Sequence, residues 1–263
     1  MRLQPLPAFN DNYIWLLFDH AGQDSALDGA SRALIVDPGE AAPVLAALGE
    51  GPMPHGVLLT HHHNDHIGGV AELLRRWPQL PVIAPHDARI ANATRRVADG
   101  ERIDIGPWQF DIIEIPGHTS SHIAFHGAGL LFCGDTLFSL GCGRLFEGTP
   151  MQMLHSLRRL AALPAETLVC CGHEYTVANA AFALTVDPAN TALQQRAARA
   201  RTMRDAGHPT LPVALASEID CNPFLRINTP SVRATLERHI KRMLMDDVDA
   251  FAELRRWKDG FSG

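Results

Sequence analysis

"LLTHHHNDHIGG", residues 58 to 69, packs four histidines and one aspartate into six positions, directly after an apolar run and directly before two glycines. In an extended segment or tight loop, side chains at i and i+2 point the same way, so His61 and His63 can converge on one ion while His62 turns elsewhere. Asp65 and His66 follow at a turn that Gly68 and Gly69 open into a helix. The loop therefore offers two donors to each of two neighbouring ions, and the apolar strand before it is a rigid base that a solvated polar tract would not need. An ion of the zinc type takes about four to five nitrogen or oxygen donors, so the remainder must come from other parts of the chain.

Short apolar, β-branched runs recur through the first two thirds: "YIWLLF" 13–18, "ALIVD" 33–37, "GVLLT" 56–60, "PVIA" 81–84, "FDIIEI" 110–115, "HIAF" 122–125, "LLFCGD" 130–135 and "TLVCCG" 167–172. These read as strands. Val70, Leu73, Leu74 and Trp77 form a helical stripe between two of them, and Met153, Leu154, Leu157, Leu160 and Ala161 form another. Interleaved strands and helices predict an α/β fold. In such sheets, sites assemble on loops beyond the carboxyl ends of strands. Three more donors stand there: His118 in "EIPGHTSSH", Asp135 in "LLFCGDTLF" and His173 in "LVCCGHEYT".

After about residue 174 the strand-like runs stop, and 189–206, 230–245 and 247–258 read as helices separated by "GHPTLP" and "DCNPFLRINTP". The organisation expected is a metal-binding domain over residues 1–173 and a helical domain over 174–263. Net charge, counting Lys and Arg against Asp and Glu, is −7 for the first part and +1 for the second. An acidic body argues against extended contact with a nucleic-acid backbone. "GQDSALDGAS" at 22–31 reads as a surface loop. The five cysteines, Cys133, Cys142, Cys170, Cys171 and Cys221, are odd in number and lack framework spacing, which predicts reduced thiols. No run approaches the roughly 18 apolar residues of a membrane helix, and "MRLQPLPAFNDNYIW" lacks the apolar core of a signal peptide. A cytoplasmic protein, monomeric and without membrane or nucleic-acid partners, is the expectation.

The series HxHxDH, Gly-His, Gly-Asp, Gly-His in that order resembles the metallo-β-lactamase superfamily. Together with "PAFNDNYIW", "LIVDPG", "LFCGDTLFSLGCGRLFEGT", "GHEYT" and "RRWKDGF", it resembles more closely the hydroxyacylglutathione hydrolases, also called glyoxalase II, over essentially the whole chain. The resemblance implies an αββα sandwich followed by a small helical domain. It implies two divalent ions, zinc first with iron or manganese as alternatives: one bound by His61, His63 and His118, the other by Asp65, His66 and His173, with Asp135 bridging. A hydroxide between the ions, held by Asp135 and Asp65, would attack the thioester carbonyl of S-D-lactoylglutathione. A thiol with pKa of about 8.5 can leave without a strong general acid, which suits a thioester better than an amide.

For the substrate's carboxylates the resemblance implies Arg144, Arg255 and Lys258, with Tyr175 as hydroxyl donor. Phe146 stands where relatives carry tyrosine, so one hydrogen bond to the peptide is expected to be missing. Asp37 in "LIVDPG" is open to two readings, a turn residue beside Pro38-Gly39 or a hydrogen-bond partner of a ligand histidine. With no thiolate in the implied ligand set, the five cysteines read as core residues, and Cys142, near this region, is the one to test for reactivity.

Other chemistries compete. A persulfide dioxygenase of this fold would use a single iron and consume oxygen. An RNA-processing nuclease would need a long basic surface, which the acidic body argues against. A non-catalytic metal protein would fill every coordination position.

Overall fold

The apolar runs between residues 2 and 97 pair into one mixed sheet. Its strands are β1 (Arg2–Ala8), β2 (Asn12–Phe18), β3 (Ala33–Val36), β4 (Gly56–Leu58), β5 (Val82–Pro85) and β6 (Arg95–Val97), in that spatial order. β1, β2 and β3 run antiparallel and β3 to β6 parallel. β1 carries Pro5 and Pro7, residues that cannot donate to a ladder, and it is accordingly the edge strand. The computed structural model describes residues 1–19, 32–51 and 53–261, so the loop expected at 22–31 lies outside the described residues.

Every residue of β2 is buried, because both faces of the sheet are covered. On one face Ile14, Leu16, Phe18, Ile35, Val57 and Val82 meet α1 (Ala42–Leu48) and α3 (Val70–Arg76), which contribute Val44, Val70 and Leu73. Each such aliphatic burial stabilises the fold by about 1.5–3 kcal/mol. The other face presents Trp15, Leu17, Leu34, Val36 and Leu58, also buried. A second, antiparallel sheet of β7 (Arg102–Ile105), β8 (Trp108–Glu114), β9 (Ile123–Gly127) and β10 (Leu130–Gly134) meets it. β7 and β8 alternate buried and exposed, with Ile103, Ile105, Trp108, Phe110 and Ile112 turned inward. At this seam the edge of the Trp108 ring meets His55, and the Ile123 amide donates to the Thr60 carbonyl. Helices outside a pair of packed sheets give the layered α/β arrangement expected from the interleaved patterns.

By packing, the chain divides into two units: Met1–Glu114 with Ser121–Gly134, and Ile115–Ser120 with Asp135–Gly263. The second unit holds the small β11 (Leu137–Phe138) and β12 (Gly141–Cys142) pair, α4 (Pro150–Ala161), β13 (Leu168–Cys171), α5 (Thr176–Val186) and α6 (Thr191–Asp205). Then come β14 (Val213–Ala214), paired with β13, and α7 (Leu215–Cys221), α8 (Pro230–Ile240) and α9 (Asp247–Asp259). Thr149 opens α4 with a reciprocal cap: its hydroxyl accepts the Gln152 amide while the Gln152 side chain accepts the Thr149 amide. α6, α8 and α9 fall where the sequence places helices. α5 shows no amphipathic stripe in sequence because it is buried around much of its circumference, packing on α6 and α8.

Candidate metal centre

β4 ends at Leu58 and the chain turns over Leu59 and Thr60 into the histidine loop. The rings of His61 and His63 lie 4.7 Å apart between centroids, and those of His61 and His66 4.2 Å apart. His62 is turned to Asp87, with Nδ1 3.5 Å from its carboxylate. His63 caps α2 (Asn64–Ile67) in extended backbone, which sets Asp65 and His66 on the first helical turn. Asp65 Oδ2 is 3.5 Å from His66 Nε2 and accepts a hydrogen bond from the Asn12 amide at 3.0 Å. Gly39 makes this approach possible: a Cβ there would lie 2.0 Å from the Asp65 carbonyl oxygen.

The two buried imidazoles are oriented from behind. Asp37, itself buried, accepts the Thr60 amide at 2.8 Å, the Thr60 hydroxyl at 2.7 Å and His66 Nδ1 at 3.0 Å. The Thr60 oxygen in turn lies 3.0 Å from His61 Nδ1. With Nδ1 engaged, Nε2 of each ring faces the opposite way. His122 stacks on His61 at 4.5 Å and closes the ring's other side.

In the second unit the remaining three donors also meet. Asp135 Oδ2 is 3.4 Å from His118 Nε2 and 3.3 Å from His173 Nε2. Donor atoms bound at about 2.0–2.1 Å in a tetrahedral shell are separated by roughly 3.3 Å, so this spacing fits shared coordination. His118 Nδ1 donates to the Arg144 carbonyl at 2.9 Å, which again leaves Nε2 forward. Gly143 is required here, because a Cβ would lie 1.8 Å from the Asp135 carbonyl oxygen. Imidazole and carboxylate without thiolate suit divalent ions of borderline to hard character. The four donors of the histidine loop thus gather in the first unit and the other three in the second.

Two family models match consecutive parts of the chain: the metallo-beta-lactamase superfamily over residues 24–173 and the hydroxyacylglutathione hydrolase C-terminus over 174–261. Hydroxyacylglutathione hydrolase of Xylella fastidiosa strain M23 is 59% identical over 261 residues, covering 99% of this chain and 98% of its own. The chain belongs to the hydroxyacylglutathione hydrolases. The enzyme of that name from Xanthomonas campestris pv. campestris strain B100 is also 59% identical, over 262 residues and 99% of both chains. Among solved structures, BLEG-1 B3 metallo-beta-lactamase is similar with a TM-score of 0.61 at 22% identity, covering 85% of this chain and 99% of its own. That likeness is one of fold. A hydrolase family on a metallo-β-lactamase fold, with imidazole and carboxylate clusters at its strand ends, is one that works with divalent metal ions.

The family's C-terminal region brings cations to the second unit. Arg255 is buried; its Nη1 donates to the Cys142 carbonyl at 2.8 Å and its Nη2 pairs with Asp259 at 3.0 Å. Arg144 Nε stands 3.7 Å from the same Asp259 carboxylate. Lys258 lies over the rings of Phe182 and Phe261, and burial, with Arg255 and Arg144 nearby, pulls its pKa below the ordinary lysine value. Tyr175 stacks on His173, and Phe146, 63% exposed, sets its ring 5.2 Å from His118. Asn12, Thr60 and Asp259 are contacts that the sequence does not single out: each lies within a motif, in "PAFNDNYIW", "LLTHHHNDHIGG" and "RRWKDGF", but its residue type does not mark it apart from its neighbours.

Cys142 is the core residue expected: burial pushes its thiol up to about 11, opposed only in part by Arg255, so at neutral pH it stays protonated. All five cysteines are buried and reduced. Among the described residues, no helix is long and apolar enough to cross a membrane.

Proposed function

We propose that the chain hydrolyses S-D-lactoylglutathione and related 2-hydroxyacyl thioesters of glutathione to the free thiol and the hydroxy acid, using two zinc ions. One ion is assigned to His61, His63 and His118, the other to Asp65, His66 and His173, and Asp135 to both. The observation that carries the reading is Asp135, one carboxylate oxygen within 3.4 Å of two imidazole Nε2 atoms, in the same unit as a cluster of three cations. It is supported by the full-length similarity to hydrolases of that name.

When bound, the ions supply an activated water and polarise the scissile carbonyl. The chain's own groups do the rest. Asp65, fixed by Asn12, and Asp135 are acceptors placed to orient that water. Lys258 and Arg144 present charge to the peptide carboxylates, and Tyr175 offers a hydroxyl. Lys258 sits half-buried on aromatic faces, where its ammonium is less hydrated and holds an anion more firmly than a surface lysine. The thiolate of glutathione departs without a dedicated acid, since it is weakly basic beside an amine or alkoxide. Residues 1–173 carry all seven metal donors in this assignment, and 174–263 carry two of the three substrate cations. The protein is read as a monomer acting on a diffusible substrate in the cytoplasm.

The test is direct. Purified protein is given S-D-lactoylglutathione while free thiol and D-lactate are measured, before and after chelation and after zinc is restored. Loss on chelation with recovery on zinc is expected. Full activity without metal, or no thioester cleavage by the metal-loaded protein, overturns the reading.

A further inference from the structure

Asp37 belongs to neither proposed ligand set, yet it is bonded directly to His66 of one and, through Thr60, to His61 of the other. Its carboxylate is buried at the end of β3, where the backbone holds φ at +50°, a conformation that aspartate tolerates better than most residues. Oδ1 accepts the Thr60 amide; Oδ2 accepts both the Thr60 hydroxyl and His66 Nδ1.

A carboxylate has no proton to give, so the direction of each bond in the chain follows. His66 must donate from Nδ1. Thr60 must donate its hydroxyl proton to Asp37, which leaves its oxygen as the acceptor facing His61 Nδ1 at 3.0 Å. His61 must therefore carry its proton on Nδ1 as well. Both rings then hold their lone pair on Nε2, the form a metal ligand needs.

We propose that Asp37 is a positioning residue that sets the tautomer of His61 and His66 together, directly for His66 and through Thr60 for His61, so that one carboxylate governs affinity at two metal positions. This rests on the functional reading only in assigning the two rings to different ions. Asp37, His61 and His66 also form a group whose ligand atoms lie within 4.8 Å of one another. Asp37 is not read as a ligand there, because its oxygens already accept three hydrogen bonds and an ion would have to break them.

The amide variant, Asp37→Asn, isolates the idea. Asparagine tolerates the same backbone, but its NH₂ would face the two donors that Oδ2 now accepts. His66 is then forced to accept at Nδ1 and to carry its proton on Nε2. The Thr60 hydroxyl, no longer drawn to a carboxylate, is turned toward His61 Nδ1 and reverses that ring too. Thr60→Val removes the relay alone.

Imidazole ¹H–¹⁵N correlation spectra of the metal-free protein, with zinc titrations against a chromogenic chelator, read both levels. In wild type both rings show Nδ1–H and two zinc ions bind. In Thr60→Val only His61 loses the Nδ1–H pattern, and one of two sites weakens by about 10–100-fold. In Asp37→Asn both rings change and both sites weaken by at least that factor. Should Asp37→Asn not fold, Thr60→Val still decides: equal weakening at both sites, or none at either, overturns the proposal. Retention of both Nδ1–H signals in folded Asp37→Asn overturns it as well. Wild-type protein that binds no zinc would instead overturn the functional reading, before any variant is made.

Discussion

The phenol of Tyr175 lies flat on the imidazole of His173, with ring centroids 4.8 Å apart and planes within 5°, while Phe138 meets both rings edge-on. Tyr175 thus has a packing role toward a proposed metal donor beside its proposed hydroxyl role toward substrate. The two separate by substitution. Tyr175→Phe keeps the stack and is expected to raise KM several-fold with little change in kcat, as loss of one hydrogen bond of about 1 kcal/mol implies. Tyr175→Ala also frees the His173 ring and should lower metal content after dialysis. If the Phe variant loses metal as readily as the Ala variant, the hydroxyl and not the ring is what holds His173.

Arg255 and Lys258 are neighbours in "RRWKDGF" but differ in what they do for the fold. Arg255→Ala strips a buried donor from the Cys142 carbonyl and a partner from Asp259, a destabilisation on the order of 2 kcal/mol. It should lower Tm and raise KM together. Lys258→Ala leaves that framework in place and should raise KM by about tenfold, the ratio that about 1.4 kcal/mol represents, with Tm nearly unchanged. Thermal melts and steady-state kinetics on both variants check this; an unchanged KM in Lys258→Ala returns the residue to a helix-surface role.

The depressed pKa of Lys258 carries a pH signature. Burial and the repulsion of Arg255 and Arg144 favour the neutral amine, so the ammonium is lost at a lower pH than in an ordinary lysine. Affinity for a carboxylate substrate should accordingly fall, and KM rise, as pH climbs toward the alkaline range. Lys258→Arg keeps its charge throughout and should flatten that rise. A KM profile identical in the two proteins would show that the rise has another source.

Much of the fold was legible because its strands are short β-branched runs whose chemistry permits little else: "YIWLLF" and "ALIVD" became β2 and β3 almost residue for residue. β1 was missed because Pro5 and Pro7 argue against a strand in general and are admitted only at an edge, a position that local sequence does not reveal. α5 was missed for the opposite reason, its broad burial erasing the polar face that marks a helix. At the candidate site, residue type and strand-end position pointed to the histidines and acids. What turns a histidine into a directed ligand lies 23 and 29 positions away in Asp37, bonded to Thr60 and His66. Such partners are set by tertiary contact, and a lone aspartate before Pro-Gly reads equally well as a turn. The burial of Arg255 was hidden in the same way, since "RRWKDGF" alone resembles an exposed helix end.

Glu218 offers a test of how the segment after Asp135 is held. Its fully buried carboxyl meets the Ser139 hydroxyl at 2.8 Å, the Leu140 amide at 2.7 Å and the Asn222 side chain at 3.1 Å, and Asn222 reaches on to the carbonyls of Phe138 and Gly141. Leu140 sits at φ +59°, a conformation costly for a branched residue, which this network and a small apolar cluster with Ala180, Ala183 and Leu193 keep in place. Glu218→Ala should therefore destabilise by at least about 3 kcal/mol, leaving both a void and buried donors unanswered. Glu218→Gln behaves differently. Burial raises the Glu218 pKa above its ordinary value, opposed by the Leu140 amide, Ser139 and Arg196, so the carboxyl takes up a proton more readily in the folded chain than in the unfolded one. Its contribution is fully present below the unfolded value and is lost as pH rises through the folded one. Glutamine carries no charge at any pH, but its NH₂ must face one of the donors that the carboxyl now accepts, so it starts behind wild type. Urea unfolding should find Glu218→Gln behind wild type at mildly acid pH and closing the gap as pH rises. A variant that instead falls further behind with rising pH would mean that the ionised carboxylate is the stabilising form.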